Sequence, residues 1–231
     1  MGRLYHLKET FFQNIKDNED YPDLEFVLLD YNSPDGLEMW ARSHLKGLIQ
    51  SGRVVFVKER SAKEYWSSHA KNLAAGMASG EILIGLDADN FTGKGFASRI
   101  SDIFMEGSSV VWGDINGGLT GRIVLSKYDF HQLRGYNEAF IGWGADDTDL
   151  VVRAKKKGIR EVVTKRIGRE IIHGDDERVR HFSIKDKNVS NAINIAMRQK
   201  ITRINPEGYG RAVVYRNFEE IPLKVGWGVD S

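Results

Sequence analysis

A chain of 231 residues with 41% hydrophobic and 28% charged residues can bury a full core and has the balance of a soluble globular protein. Its net charge of +1 argues against a nucleic-acid partner or a dominant membrane field, and no apolar run nears the roughly 20 residues of a membrane span, which leaves at most peripheral membrane contact. With no cysteine there are no disulfides, no thiolate zinc site and no cysteine nucleophile, a composition that fits the cytoplasm.

Leu4, Leu7, Phe11, Phe12 and Ile15 recur at spacings of three and four, which predicts an amphipathic helix over 4–16. Leu24 to Asp30 reads as a strand closed by the turn formers of Tyr31 to Gly36. A helix is expected over 36–50, a strand over 53–58, a helix from Lys71 to Ala78 and a strand from Glu81 to Leu86. This alternation predicts a largely parallel sheet. Glycines at 107, 113, 117, 118 and 121 break 107–122 into short strands and turns. Ser126 is a candidate N-cap for a helix reaching Leu133, with Gly135 just beyond its end. A further helix opens within 140–149 and stops at Gly158, a short strand falls at 161–164, and a helix over 188–204 precedes an irregular tail. The expectation is one domain over 1–231, in two halves (1–106 and 107–185) with a C-terminal helix and tail (186–231).

Two segments carry chemistry. Ile82 to Asn90 runs an apolar strand into Asp87 and Asp89, and in open α/β sheets ligands bind beyond the carboxyl ends of strands. Two acids there, one residue apart, suit a hard divalent cation with its phosphates, while a plain turn is the bland reading. Gly142-Trp-Gly-Ala-Asp-Asp-Thr-Asp149 sets small residues and an indole before three acids at a helix start. Glycines let a ligand approach the backbone, and an indole offers a flat face to a sugar ring. The helix dipole favours ionised Asp146 and Asp147, and an ionised carboxylate can act as a general base. Ordinary capping is the alternative for these acids.

The strand-Asp-Ala-Asp at 82–89, followed by Gly135 to Leu150, resembles nucleotide-sugar glycosyltransferases of the GT-A fold. The likeness is to family 2 enzymes and to galactosyltransferases with a Gly-Trp-Gly-x-(Glu/Asp)-Asp-x-Asp motif, over residues 3 to about 175. It implies an α/β fold with a mixed, mostly parallel sheet flanked by helices. It also implies a UDP-sugar donor, a carbohydrate or other hydroxyl acceptor, and a divalent cofactor, manganese or magnesium. By this resemblance Asp89 binds the metal, Asp87 sits nearer the ribose, Asp147 is the catalytic base, and Trp143, Gly144 and Asp146 hold the acceptor. Retaining relatives commonly carry an amide where Asp147 stands, so the carboxylate favours inversion. Asp30 resembles the nucleoside-contacting acid, with Tyr31 in place of the usual second Asp, and Lys71 stands where family 2 members show arginine. His173 falls where relatives supply a third metal ligand, with His181 the competing candidate. Arg178 and Arg180 could touch phosphate, whereas Lys155 to Lys157 fit the end of a helix dipole.

The same resemblance places a central strand before the helix at Leu4. The chain is therefore expected to start from an internal methionine or to have been cut, leaving two sheet edges exposed or paired to each other. Two other functions compete: a haloacid-dehalogenase-like phosphatase, whose nucleophile motif is also a strand ending in Asp-x-Asp, and a non-catalytic nucleotide- or glycan-binding domain.

Overall fold

The computed structural model describes residues 1–113, 121–164, 168–200 and 204–228. Its opening helix α1 (Leu4–Asp17) turns Leu4, Leu7 and Phe11 inward, as the spacing predicts. Strand β1 (Phe26–Tyr31) pairs in parallel with β2 (Val54–Glu59), in register Phe26 to Val54. The helix expected over 36–50 is two helices, α2 (Leu37–His44) and α3 (Lys46–Gln50), broken at Leu45, whose φ of −106° leaves the helical region while its side chain is wholly buried. Helix α4 (Ser67–Met77) starts four residues before the expected Lys71, which brings Ser67 to its first turn.

Strand β3 (Ile82–Ile84) is shorter than expected, although Gly85 N still donates to Ile123 O at 2.8 Å. The chain then turns through the two acids into β4 (Asn90–Phe91) and α5 (Phe96–Met105). Strands β5 (Ser109–Gly113) and β6 (Ile123–Ser126) follow, and Gly117 and Gly118 lie outside the described residues. Ser126 caps α6 (Lys127–Gln132) as expected, its hydroxyl accepting from Asp129 N. Helix α7 (Asp146–Lys156) begins at the acids, and β7 (Arg160–Thr164), β8 (Arg169–Glu170), α8 (Asp175–Val179) and α9 (Lys187–Lys200) follow. The supposed irregular tail contains β9 (Ala212–Arg216) and β10 (Leu223–Val225).

Strand orders are β1-β2-β9-β10 in one sheet, β3-β6-β5-β7 in a second, and β4-β8 in a two-stranded ribbon. The mixed α/β architecture agrees with expectation, but the largely parallel pairing inferred from alternation needs correction. Among the described residues only β1-β2 and β5-β7 are parallel, against five antiparallel ladders. The excess comes from β6, antiparallel to both β3 and β5, from the two tail strands, of which β9 adds to β2 and β10 to β9, and from the β4-β8 ribbon. Among the described residues, strands β1 and β3 each end a sheet and are not paired with each other. A cavity of about 860 Å³ lies between them, walled by Val27, Leu29, Ile82 and Ile84, and opens toward Asp87 and Asp147.

Separate apolar clusters support the two sheets. Leu83, Leu125, Phe130, Leu150 and Ala154 join β3 and β6 to α6 and α7, while Leu7, Phe11, Trp40, Leu45 and Phe56 join α1 and α2 to β2. Fully burying each such side chain contributes about 1.5–3 kcal/mol, so both walls of the cavity rest on packed layers. Among the described residues no helix is long and apolar enough to cross a membrane.

Candidate active site

Four of the segments that line the cavity carry the two acidic motifs and their partners. The turn after β3 carries Asp87 and Asp89, α4 carries Ser67 and Lys71, the start of α7 carries Asp146 and Asp147, and the segment after β8 carries His173. The α7 start is built by left-handed backbone at Gly142 (φ +64°) and Gly144 (φ +99°), which glycine adopts freely, and at Ala145 (φ +66°), where the Cβ makes it strained. A Cβ on Gly144 would lie 2.5 Å from Asn191 Oδ1, so α9 closes against this loop. Ser190 fixes it further, accepting from Trp143 N at 2.6 Å and donating to Trp143 O at 2.8 Å.

Lys71 is the electrostatic hub. Its Nζ donates to Asp146 Oδ2 at 2.9 Å and to Asp147 Oδ1 at 2.7 Å, and it lies over the Tyr136 ring, 4.9 Å from the centroid. Burial works against its charge, but the two carboxylates outweigh that and hold its pKa well above the usual lysine value. Asp146 also accepts from Ser67 Oγ at 2.9 Å. Burial pushes the Asp146 carboxyl up, yet the charge and hydrogen bond of Lys71, with Ser67, bring it below the ordinary range. Asp147 has the opposite fate. Desolvation and the neighbouring Asp146 charge push its carboxyl up to about 7, against the pull of Lys71.

Asp87 opens onto the cavity, and desolvation by the cleft walls raises its carboxyl, opposed by Lys71 and reinforced by Asp89. Gly121 makes room for it. A Cβ there would stand 2.7 Å from Asp87 Oδ2 and 3.5 Å from Asp147 Oδ2, so the two acids flank one glycine. Asp87, Asp146 and Asp147 thus converge around Lys71, uniting the two motifs.

Asp89 turns to the other side. Its Oδ2 lies 2.7 Å from His173 Nε2, Asn90 Nδ2 donates to its Oδ1 at 2.8 Å, and Ile171 N donates to its carbonyl at 2.8 Å. The β4-β8 ribbon joins these two segments, which explains how His173 meets an acid 84 residues earlier. Among the described residues His6, Asp89 and His173 form one group of ligating side chains whose atoms lie within 4.8 Å of one another. His181, the rival candidate, is outside that group. It packs against Gly2, and its carbonyl accepts from Tyr65 N.

Asp30 stands apart. It is wholly buried, its Oδ2 accepting from Lys58 Nζ at 2.7 Å and its Oδ1 from Ser33 N at 2.7 Å. Both oxygens are engaged by the chain, the carboxylate being held by a buried lysine on the adjacent strand β2. Tyr31, by contrast, lines the cavity, with its hydroxyl 2.8 Å from His69 Nδ1. Trp143 lines the cavity with the ammonium of Lys187 over its ring at 4.7 Å. Arg178 lines it too, while Lys155 pairs with Glu161 on the outer surface, as its position at a helix end suggests. Sequence reasoning missed Ser67, Gly121, Tyr136 and His6. The signal for Ser67 was the Ser-Ser pair ahead of an apolar helix face, whereas His6 carried none, being one polar residue within an apolar-spaced helix.

The cleft thus lies beyond strand ends, lined by acids around a lysine and walled by mixed sheets with flanking helices. Residues 7–143 match the model of glycosyl transferase family 2, and the chain belongs to that family. Residues 113–181, spanning the Gly-Trp-Gly motif, match the N-terminal domain of galactosyltransferase. This assignment displaces the phosphatase alternative.

Among solved structures, glucosyl-3-phosphoglycerate synthase from Mycobacterium tuberculosis, in complex with phosphoglyceric acid, shares the fold. Its TM-score is 0.53 at 17% identity, over 85% of this chain and 77% of that one. Two structures of Drosophila β1,4-galactosyltransferase 7 align with TM-scores of 0.49, at 15% and 12% identity. They cover 88% of this chain and 93% and 92% of theirs. One is a complex with manganese, UDP-Gal and xylobiose, the other with xylobiose. Comparison with curated protein sequences gives no match.

Proposed function

We propose that this chain transfers a hexose or N-acetylhexosamine from a UDP-sugar to a hydroxyl of a carbohydrate or similar acceptor, with inversion and with a divalent cation. The observation that carries this reading is Asp147: a carboxylate at the cavity mouth, with a pKa of about 7, beside a second acid and an indole. A base is most effective when its pKa lies near the working pH, because it is then both deprotonated and strong enough to take a proton.

In this account Asp147 accepts the acceptor hydroxyl proton as the new O–C1 bond forms and the C1–O bond to the diphosphate breaks, its electron pair leaving with UDP. Lys71 restrains Asp147 in the free protein. An arriving diphosphate competes for that ammonium, loosening the pair and leaving the carboxylate free for the hydroxyl. Asp146, held ionised by Ser67 and Lys71, fixes the start of α7, and Trp143 with Gly144 supplies a face for the acceptor sugar. Asp87 borders the donor.

The donor set of Asp89 and His173 fits manganese or magnesium: a carboxylate and an imidazole already in contact, their oxygen and nitrogen 2.7 Å apart. When bound, such a cation neutralises charge on the departing diphosphate. Cytoplasmic action on a soluble nucleotide sugar agrees with the cysteine-free composition. A thermal-shift screen of nucleotide sugars with and without Mn2+ tests the donor class, since ligand at about 100 times Kd stabilises by about 2.7 kcal/mol. UDP-sugars should raise Tm only with metal, and Asp89→Ala should abolish that gain. A shift independent of metal, or confined to other nucleotides, would reject the reading.

A further inference from the structure

We propose that His6 of α1 is a third protein ligand of this cation, making the site two imidazoles and one carboxylate that select manganese over magnesium. This rests on the metal-dependent reading above and adds a residue from a different part of the chain.

His6 is 2% exposed and, with Thr10 and Asn14, forms the polar stripe of an inward helix face that also carries Leu4, Leu7 and Phe11. A buried polar ring is costly unless something satisfies it. Its Nδ1 has no hydrogen-bond partner among the described residues, and its Nε2 lies 3.6 Å from Glu177 Oε1, beyond a hydrogen bond. The ring faces His173 at 5.0 Å between centroids, tilted by 33°, and its ligating atom falls within 4.8 Å of those of Asp89 and His173. The residue is therefore buried, under-satisfied and beside the ligating groups of Asp89 and His173.

The surrounding structure holds His6 in that position. Thr10 Oγ1 donates to Ala88 O at 2.7 Å and Asn14 Nδ2 donates to Asn90 O at 2.9 Å, clamping α1 to the segment that carries Asp89. Arg3 at the base of α1 holds Glu177 of α8 at 2.7 Å, tying in the segment after His173. Helix α1, the Asp89 turn and the His173 segment are thus fixed to one another before any ion arrives, which is the condition for a preorganised site. Magnesium prefers oxygen ligands and retains water, whereas imidazole suits manganese and the later transition metals. Three protein ligands leave positions open for diphosphate oxygens.

The test is Mn2+ binding to the donor-free protein, read by calorimetry and by pulsed EPR of 14N coupling, in wild type, His6→Phe, His6→Gln and His173→Ala. Phenylalanine fills the buried space without ligating, and a metal-free melt within a few degrees of wild type establishes that the variants fold. Wild type should show two coupled imidazole nitrogens and His6→Phe one, with Mn2+ affinity lower by about tenfold or more, since even outer-shell changes cost 10–100-fold. The preference for Mn2+ over Mg2+ should narrow in His6→Phe. One coupled nitrogen in wild type, lost in His173→Ala and untouched in both His6 variants, would overturn the role of His6 and leave the proposed function standing. No Mn2+ binding by wild type, with or without UDP, would overturn both.

Discussion

Asp147→Asn should inactivate the enzyme and at the same time stabilise the metal-free protein at neutral pH. The Asp147 carboxyl rises from 3.8 to about 7 in the folded state, so the fold works against its ionisation. A difference of about 3 units corresponds to about 4 kcal/mol once the group is fully ionised. The side chain is 21% exposed and denatured chains are compact, so about 2 kcal/mol is the working figure. The sign follows from linkage. A carboxyl with a raised folded pKa keeps its proton in the native state while the unfolded chain releases it, so wild-type stability falls as pH climbs from about 4 to about 7. Asparagine does not titrate and still accepts from Lys71. The stability gap between variant and wild type should therefore be small at pH 4.5, grow through pH 6, and level off above pH 7. Urea unfolding followed by tryptophan fluorescence at these pH values measures it. A variant less stable than wild type at pH 8, or a gap that ignores pH, would refute the electrostatic account of Asp147.

Lys71→Met leaves Asp146 and Asp147 facing each other without their cation, and breaking such a buried network costs about 3–5 kcal/mol at most, with partial exposure favouring the lower end. Its acid limb in kcat/KM should move to higher pH, because the cation that opposes protonation of Asp147 is gone; a pH–rate profile checks this. Gly121→Ala puts a methyl 2.7 Å from Asp87 Oδ2 at a residue whose φ is not positive. Transfer should fall by about tenfold, equivalent to about 1.4 kcal/mol, while Tm changes little. Ser67→Ala removes one hydrogen bond to Asp146 and should cost about 1 kcal/mol of stability, read by the same urea series.

The elements legible in the sequence were those with clear period and punctuation. Helix α1 follows from its leucines and phenylalanines, β1 and β2 from apolar runs, α6 from Ser126 and Gly135, and α7 from its acids and Gly158. Pairing direction was not legible, because alternation of strand and helix says nothing about a strand such as β6 that follows β5 without an intervening helix among the described residues and pairs antiparallel to it. The tail strands were missed although Ala212 to Tyr215 is a β-prone run, since its partner β2 lies over 150 residues away. The acids at 87, 89, 146 and 147 were legible from their place at element ends. Their sorting was not: two-sided placement, with Asp89 toward His173 and Asp87 toward Lys71, depends on the β4-β8 ribbon and on the space at Gly121. The Lys58 partner of Asp30 was not legible, because a strand-end acid looks the same whether it faces a ligand or a buried lysine.

The central claim is metal-dependent transfer with inversion, with Asp147 as the base. The most direct measurement is an NMR assay of UDP release and product anomeric configuration, with Mn2+ and a panel of UDP-sugars and glycan acceptors, for wild type and Asp147→Asn. The account predicts a β-linked product from an α-linked donor, dependent on Mn2+ and absent in Asp147→Asn. A product that keeps the donor's configuration, or transfer that survives Asp147→Asn, would contradict it.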